Sequence, residues 1–329
     1  MKRKIGIIGM MLIFVISVLF VTGCSSKKGS SGESTKIKIA VLKGPTGMGM
    51  AKLMENKNSY DITVYDSPDE IVSKIVNGQL DAAAVPSNLA SVLYNKTKGQ
   101  IQLAGINTLG ILYIVENGST VKDIKDLKGK TVYSSGKGSV PEFALNYILK
   151  ENGLTAGKDV IVDYKMNHSD LAAAVASKKI NLAVLPEPFV TTAKMKDSDL
   201  QVPIDLTKEW DKVSQGKGKL IMGTFIFRKS FIEDRSKDVD AFLKKYKESV
   251  DFVNNNKVEA SKLIEKYGVI PKAKVAEEAI PKCNIVFISA KEGKEDLQKF
   301  YEVLNENDPK SIGGTIPDEN FYYIGNKNN

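Results

Sequence analysis

Histidine occurs once in this 329-residue chain, at His168, tryptophan once, at Trp210, and cysteine twice, at Cys24 and Cys283. A single histidine excludes multi-histidine metal sites and makes a Ser-His-Asp hydrolase hard to sustain. Two cysteines exclude a disulfide-built scaffold and cysteine-rich zinc modules. Arginine is confined to Arg3, Arg228 and Arg235, so lysine carries almost all of the positive charge. The lysines are scattered among acidic residues rather than clustered with aromatics, which describes a solvated surface and not a nucleic-acid face. With 42% hydrophobic and 26% charged residues, the chain is neither a polytopic membrane protein nor wholly disordered. Its length is enough for two domains with cores of their own.

The apolar run of residues 5–21 follows the basic start Lys2-Arg3-Lys4 and ends in Thr22-Gly23-Cys24. A charged head, an apolar middle and small residues at the cut describe a secretory signal. A membrane span is the competing reading, because the run is nearly long enough to cross a bilayer. Val21-Thr22-Gly23-Cys24 resembles a bacterial lipobox. That resemblance implies removal of residues 1–23 and acylation of Cys24 as the new N-terminus, and two or more acyl chains anchor a protein stably. Loss of Lys2, Arg3 and Lys4 would take the formal charge from +8 to +5. Residues 24–35 read as a flexible tether, and Cys283, with Cys24 lipidated, as a small core residue.

The body repeats one design. Residues 36–42 predict a strand, which breaks into Gly44-Pro45-Thr46-Gly47-Met48-Gly49 and an apolar helix through Leu53 and Met54. A strand at 62–65, a helix at 68–77 and a short buried strand at 81–85 follow, the last ending at Pro86-Ser87-Asn88. Ser67-Pro68-Asp69-Glu70 is a capping box with proline at its first helical position. About a hundred residues later the order returns: a strand at 130–133, the loop 134–139, a helix capped by Ser139 with Glu142, a strand at 160–164, a helix from Asn167, and a strand at 181–185 running into Pro186-Glu187-Pro188. Glu70, Ile71, Val85 and Pro86 match Asp170, Leu171, Leu185 and Pro186 at a constant offset of one hundred. Two such halves predict two α/β lobes with similar sheets. Ligands of such sheets sit beyond the carboxyl ends of the strands, so the loops 44–49, 86–88, 134–139 and 186–188 mark the candidate site.

Each motif has a plainer alternative. Gly44 to Gly49 has the spacing of a phosphate loop, but Met50-Ala51 stand where lysine and a hydroxyl are required, which leaves a ligand-touching turn around Thr46, Gly47 and Met48 or a purely structural one. Gly136-Lys137-Gly138 begins like a dinucleotide fingerprint and fails at Pro141. The amides of Gly138, Ser139 and Val140 at a helix start suit an anion or a carbonyl, and Lys137 adds charge or is merely solvated; Ser139 alone is also explained as a cap. Ser87, Asn88, Asn107 and Thr108 are short hydrogen-bonders, suited to a ligand or to turns. Glu187 either meets a cationic or N–H-bearing group or caps the helix after Pro188. His168, in the first turn of its helix, reads as an exposed or rim residue. Met48 and Tyr113, Tyr133 and Tyr164 are candidate linings, with core packing the commoner fate.

The lipobox, the glycine-rich loop, Asp126-Leu127-Lys128-Gly129-Lys130 and Leu185-Pro186-Glu187-Pro188-Phe189 together resemble extracytoplasmic solute-binding proteins of ABC importers, within them the branch for nitrate, sulfonates, taurine and thiamine precursors. The likeness runs from Lys36 to about Tyr323. It implies an α/β clamshell, each lobe a mostly parallel sheet flanked by helices, with the chain crossing between lobes near 108–114 and 222–227. Lobe one would be 36–109 and 224–329, and lobe two 110–223. The implied role is capture of a small solute for a permease and its ATPase, with no catalysis, metal or cofactor, by a monomer anchored through Cys24 outside the cell membrane. A lipoprotein serving a sensor or scaffold fits the same residues. Fungal pyrimidine synthases of the thiamine pathway resemble this branch, but one histidine and an export signal count against them. No arginine lies near the marked loops, which disfavours bidentate pairing with a strong anion, although helix starts and Lys137 could hold a monoanion; Glu187 points to an N-heterocycle such as a thiamine precursor, and the expected solute is uncharged or zwitterionic.

Overall fold

The computed structural model describes residues 36–325, so the signal segment, Cys24 and the tether lie outside the described residues. In β1 (Ile37–Leu42) alternate residues enter different cores, Ile37, Ile39 and Val41 on one face and Ala40 on the other. Burial on both faces is what a run of apolar residues without polar alternation predicts. The chain continues through the short helix α1 (Pro45–Met48), β2 (Tyr60–Tyr65), α2 (Pro68–Val76), β3 (Ala82–Pro86), α3 (Ser87–Lys96) and β4 (Ile101–Leu109). The expected helix through Leu53 and Met54 is a single 3-10 turn, Leu53–Glu55, because Gly47 and Gly49 weaken helix propagation beyond α1.

The second half begins with β5 (Leu112–Glu116), β6 (Thr131–Tyr133), α4 (Val140–Glu151) and β7 (Ile161–Asp163), and continues through α5 (His168–Ala176), β8 (Leu182–Pro186), α6 (Phe189–Lys194), β9 (Gln201–Asp205) and α7 (Leu206–Ser214). It returns through β10 (Ile221–Arg228) to α8 (Lys229–Asn255), α9 (Lys257–Lys266), α10 (Ala273–Ala279), β11 (Ile285–Ser289) and α11 (Ala290–Asn307). The repeat read from the sequence is present: α2 and α5 are offset by one hundred at both ends, as are β3 and β8.

The strands form two sheets, ordered β11-β4-β10-β3-β1-β2 and β7-β6-β8-β5-β9. The two-lobed α/β architecture is as expected, but each sheet is mixed rather than mostly parallel. β1 is parallel to β2 and β3, and β6 to β7 and β8. By contrast β10 is antiparallel to β3 and β4, β11 to β4, and β5 to β8 and β9. Strands that carry the chain between lobes enter a sheet from the end where the parallel strands finish, so they must run against them. The outward passage lies at residues 110–111, between β4 and β5. The return is complete before β10, upstream of the expected 222–227, because the whole of β10 inserts between β3 and β4.

One face of the first sheet packs under α8, α9 and α10, where Phe225, Phe242 and Tyr246 stack and Phe227 meets Phe242 edge-on. The outer face of the second packs on α5 and α6 through Leu171, Val175 and Val190. A third cluster is continuous across both sheets and runs through α7 and α11. Trp210 of α7 sits at its middle, fully buried, with ring centroids 5.0 Å from Tyr147 of α4 and 5.6 Å from Phe300 of α11, and its indole N–H donates to the Gly218 carbonyl at 3.0 Å. Trp210→Ala would leave a cavity where the lobes share their core and is expected to cost about 3–5 kcal/mol, read as a lowered midpoint in urea followed by circular dichroism. A loss under about 1 kcal/mol would show that the seam is not a stabilising contact.

Candidate functional site

The carboxyl ends of β1 and β3 in one sheet and of β6 and β8 in the other face a shared cavity of about 100 Å³. Four prolines line it in matched pairs. Pro45 and Pro141 open the helices after β1 and near β6, and Pro86 and Pro186 end β3 and β8. Proline has no N–H, so these walls are rigid and offer no donor at those four positions. Leu42, Ile111, Phe189 and Met222 complete the apolar lining. The floor comes from β4 and β10, where Thr108 pairs with Gly223. A side chain at Gly223 would strike the Asn107 amide oxygen, so a larger residue there would displace the buried Asn107 side chain.

The polar groups on the cavity are few: Lys43, Thr46, Thr108, Ser139, His168 and Glu187. Lys43 is held by Asp66 at 2.5 Å, with both side chains well exposed, so its charge is locally balanced and screened by solvent. The Thr46 hydroxyl donates to the Leu42 carbonyl at 3.2 Å, which ties the turn back to β1. Ser139 stands at the N-cap of α4, but its hydroxyl makes no capping bond. Instead the Glu142 carboxylate accepts from the Gly138 amide at 2.6 Å, so the expected cap is replaced by a neighbouring carboxylate and the serine is left to the cavity. Ser67 caps α2 by accepting from the Asp69 amide at 3.3 Å.

Glu187 is buried after β8. Its two oxygens accept from the Thr191 amide at 3.0 Å and the Thr191 hydroxyl at 3.1 Å, so it caps α6 and borders the cavity at once. Burial raises its pKa, against the opposing pull of the Thr191 bonds and of Lys282. His168, the first residue of α5, is half-buried; its Nδ1 is hydrogen-bonded to the Ser135 hydroxyl and its ring stacks on Phe189 at 5.1 Å. Burial lowers its pKa to about 4, so the imidazole is neutral at physiological pH.

Of the residues singled out from the sequence, the cavity brings together Thr46, Thr108, Ser139 and Glu187. The others stand behind it. Gly47 packs on the Leu42 carbonyl and Val269, and Met48 is fully buried with its sulfur 4.0 Å from that of Cys283. Ser87 gives its hydroxyl to the Ile221 carbonyl and takes the Tyr301 hydroxyl on its own carbonyl at 2.9 Å. Asn107 accepts from Thr108 at 3.0 Å, one layer back. Asn88 spans the lobes, donating to the Gly138 carbonyl at 3.2 Å and the Ser311 carbonyl at 3.1 Å. Val140 is core and Lys137 is exposed. His168 and Phe189 were the residues hardest to find. His168 occupies the repeat position of Pro68, and the repeat itself gives no reason to expect an imidazole there.

A family model described as the periplasmic substrate-binding protein of a phosphonate ABC transporter matches residues 50–212. Among solved structures, an ABC transporter protein from Parabacteroides distasonis is 27% identical, with a TM-score of 0.73, covering 88% of this chain and 99% of its own. The periplasmic aliphatic sulphonate binding protein SsuA from Escherichia coli has the same fold at 16% identity and a TM-score of 0.66, over 88% of this chain and 92% of its own. The nitrate-binding protein NrtA from Synechocystis is similar at 16% identity and 0.54, over 77% and 69%. No curated protein matches the chain.

The raised pKa of Glu187 has a measurable sign. An acid whose pKa is higher in the folded chain binds its proton more tightly there, so its contribution to stability is complete below the ordinary value of 4.5 and is lost as pH rises through the folded value. Glu187→Gln removes that titration. Between about pH 5 and pH 8 the melting temperature of the wild type is expected to fall relative to that of the variant; parallel curves would contradict burial of this charge.

Proposed function

Since the chain belongs to the substrate-binding proteins of ABC importers, we propose that it takes a compact, uncharged or zwitterionic organic solute into the cavity between its lobes, as a lipoprotein anchored through Cys24. The observation that carries this reading is the composition of the cavity: four prolines and further apolar walls, hydroxyls of Thr46, Thr108 and Ser139, a neutral imidazole and a buried carboxylate, with no arginine. A strongly anionic solute would meet Glu187 there, and the cation that lines the cavity, Lys43, is already paired with Asp66. That argues against carrying over the phosphonate of the family model or the sulfonate and nitrate of the structural neighbours.

Lobe one is proposed as 36–109 with the segment from Ile221 onward, and lobe two as the segment between. Closure of the lobes buries the solute, and the permease reads the closed form, whose population the solute raises through groups on both sides of the cleft. In this reading the chain works as a monomer that binds and releases its solute unchanged.

A thermal-shift panel on the soluble part, from Ser25 onward, separates the ligand classes. At about a hundred times Kd a solute adds roughly 2.7 kcal/mol, worth a few degrees at this size. The expected hits are pyrimidines, thiamine precursors or other small nitrogen compounds; a hit confined to nitrate, taurine, alkanesulfonates or phosphonates would overturn the charge reading. With a hit in hand, Ser139→Ala is expected to weaken binding about 2- to 10-fold, the worth of one hydrogen bond, and Lys137→Ala to leave it within about twofold. Cys24→Ala is expected to abolish palmitate labelling; labelling that persists would refute the anchor.

A further inference from the structure

We propose that His168 is the specificity-determining hydrogen-bond donor of the cavity, held by Ser135 in the tautomer that carries its proton on Nε2 and offering that N–H to an acceptor on the solute. This rests on the cleft being the solute site and adds what the solute must present.

The argument is an accounting of protons. Ser135 is 1% exposed, and its hydroxyl makes one hydrogen bond, to Nδ1 of His168. If Nδ1 carried the imidazole proton, the serine would have to accept, and its own proton would be stranded in a buried site, which is costly. The serine therefore donates, Nδ1 accepts, and the neutral ring carries its proton on Nε2. Nε2 has no hydrogen-bond partner among the described residues, and the residue lines the cavity. Phe189 covers the ring with an interplanar angle of 24°, which fixes its plane.

Two features keep the ring neutral: its burial, and its place in the first turn of α5, where the positive end of the helix disfavours an imidazolium. The charged groups around it are Glu187 and Lys43 on the cavity, Lys43 balanced by Asp66, and Asp170 on its own helix, engaged by Asn167. Glu187, when ionised, only accepts. Beside the Ser139 hydroxyl, which can donate or accept, the cavity thus pairs the Glu187 acceptor with the His168 donor, and the matching solute is a compact molecule with both an N–H and a carbonyl or ring-nitrogen acceptor: an amide, a urea or an aminated heterocycle.

His168 is the only histidine, so protein labelled with 15N-histidine gives a single imidazole spectrum. The expected spectrum shows a protonated Nε2 and a bare Nδ1, unchanged between about pH 5.5 and 8, and Ser135→Ala brings in the other tautomer. A proton on Nδ1 in the wild type, or an imidazolium growing in near pH 6.5, overturns the proposal. Cytosine, nicotinamide, taurine and methylphosphonate are then added in turn. A shift of the Nε2 proton with cytosine or nicotinamide supports the donor role. Conversion to imidazolium by taurine or methylphosphonate overturns it while keeping the cleft as the site. A probe that raises the melting temperature without moving the His168 signals overturns the cleft reading, and the proposal with it.

Discussion

The antiparallel pairing of β4 with β10 is the constraint on which the rest of the molecule depends. These are the strands next to the two passages between lobes, and they lie side by side in the first sheet. Their pairing brings Thr108 and Gly223 opposite each other at the base of the cleft. It also explains why neither sheet is purely parallel, since a chain that changes lobes must meet each parallel set from its far end. The parallel strands then finish at the cleft, where helix starts and turns can be spent on recognition rather than on packing.

What those turns supply is sparing. Prolines at matched places remove backbone donors from both walls, and the remaining polar groups divide into those already committed and those with capacity left. Thr46 is bonded to its own strand and Thr108 to Asn107, whereas Ser139 and Nε2 of His168 have no bond to lose. Glu187 is intermediate, held by Thr191 yet carrying lone pairs in a site that penalises its charge. If a solute displaces water from this cavity, an unanswered polar group costs more than one in water, and the proposed site would select by rejecting solutes that leave Glu187 or His168 unpaired.

Much of the fold was legible because its signals are local and repeated. The offset of one hundred between Val85-Pro86 and Leu185-Pro186 survives in the coordinates of β3, β8, α2 and α5. Strand direction was not legible, because alternation and burial look alike in parallel and antiparallel neighbours. Within the site, residue type gave the loops but not the individual contacts. The sequence leaves Ser139 as a ligand contact or a cap, and the capping bond is absent, with Glu142 on the Gly138 amide; Met48 sits against Cys283 although its loop borders the cavity. His168 reads from the sequence as an exposed or rim residue; only the serine behind it and the phenylalanine over it make it a group with a fixed direction.

Asn88 divides one amide nitrogen between two carbonyls, Gly138 across the cleft and Ser311 on its own side. Separating the lobes breaks the first bond and leaves the second. Held by Ser311, the side chain would keep its rotamer, so the entropy of immobilising it is spent once, at folding. A contact across a cleft that is held from one side works like a pawl: it resists parting, and it can re-form without a search.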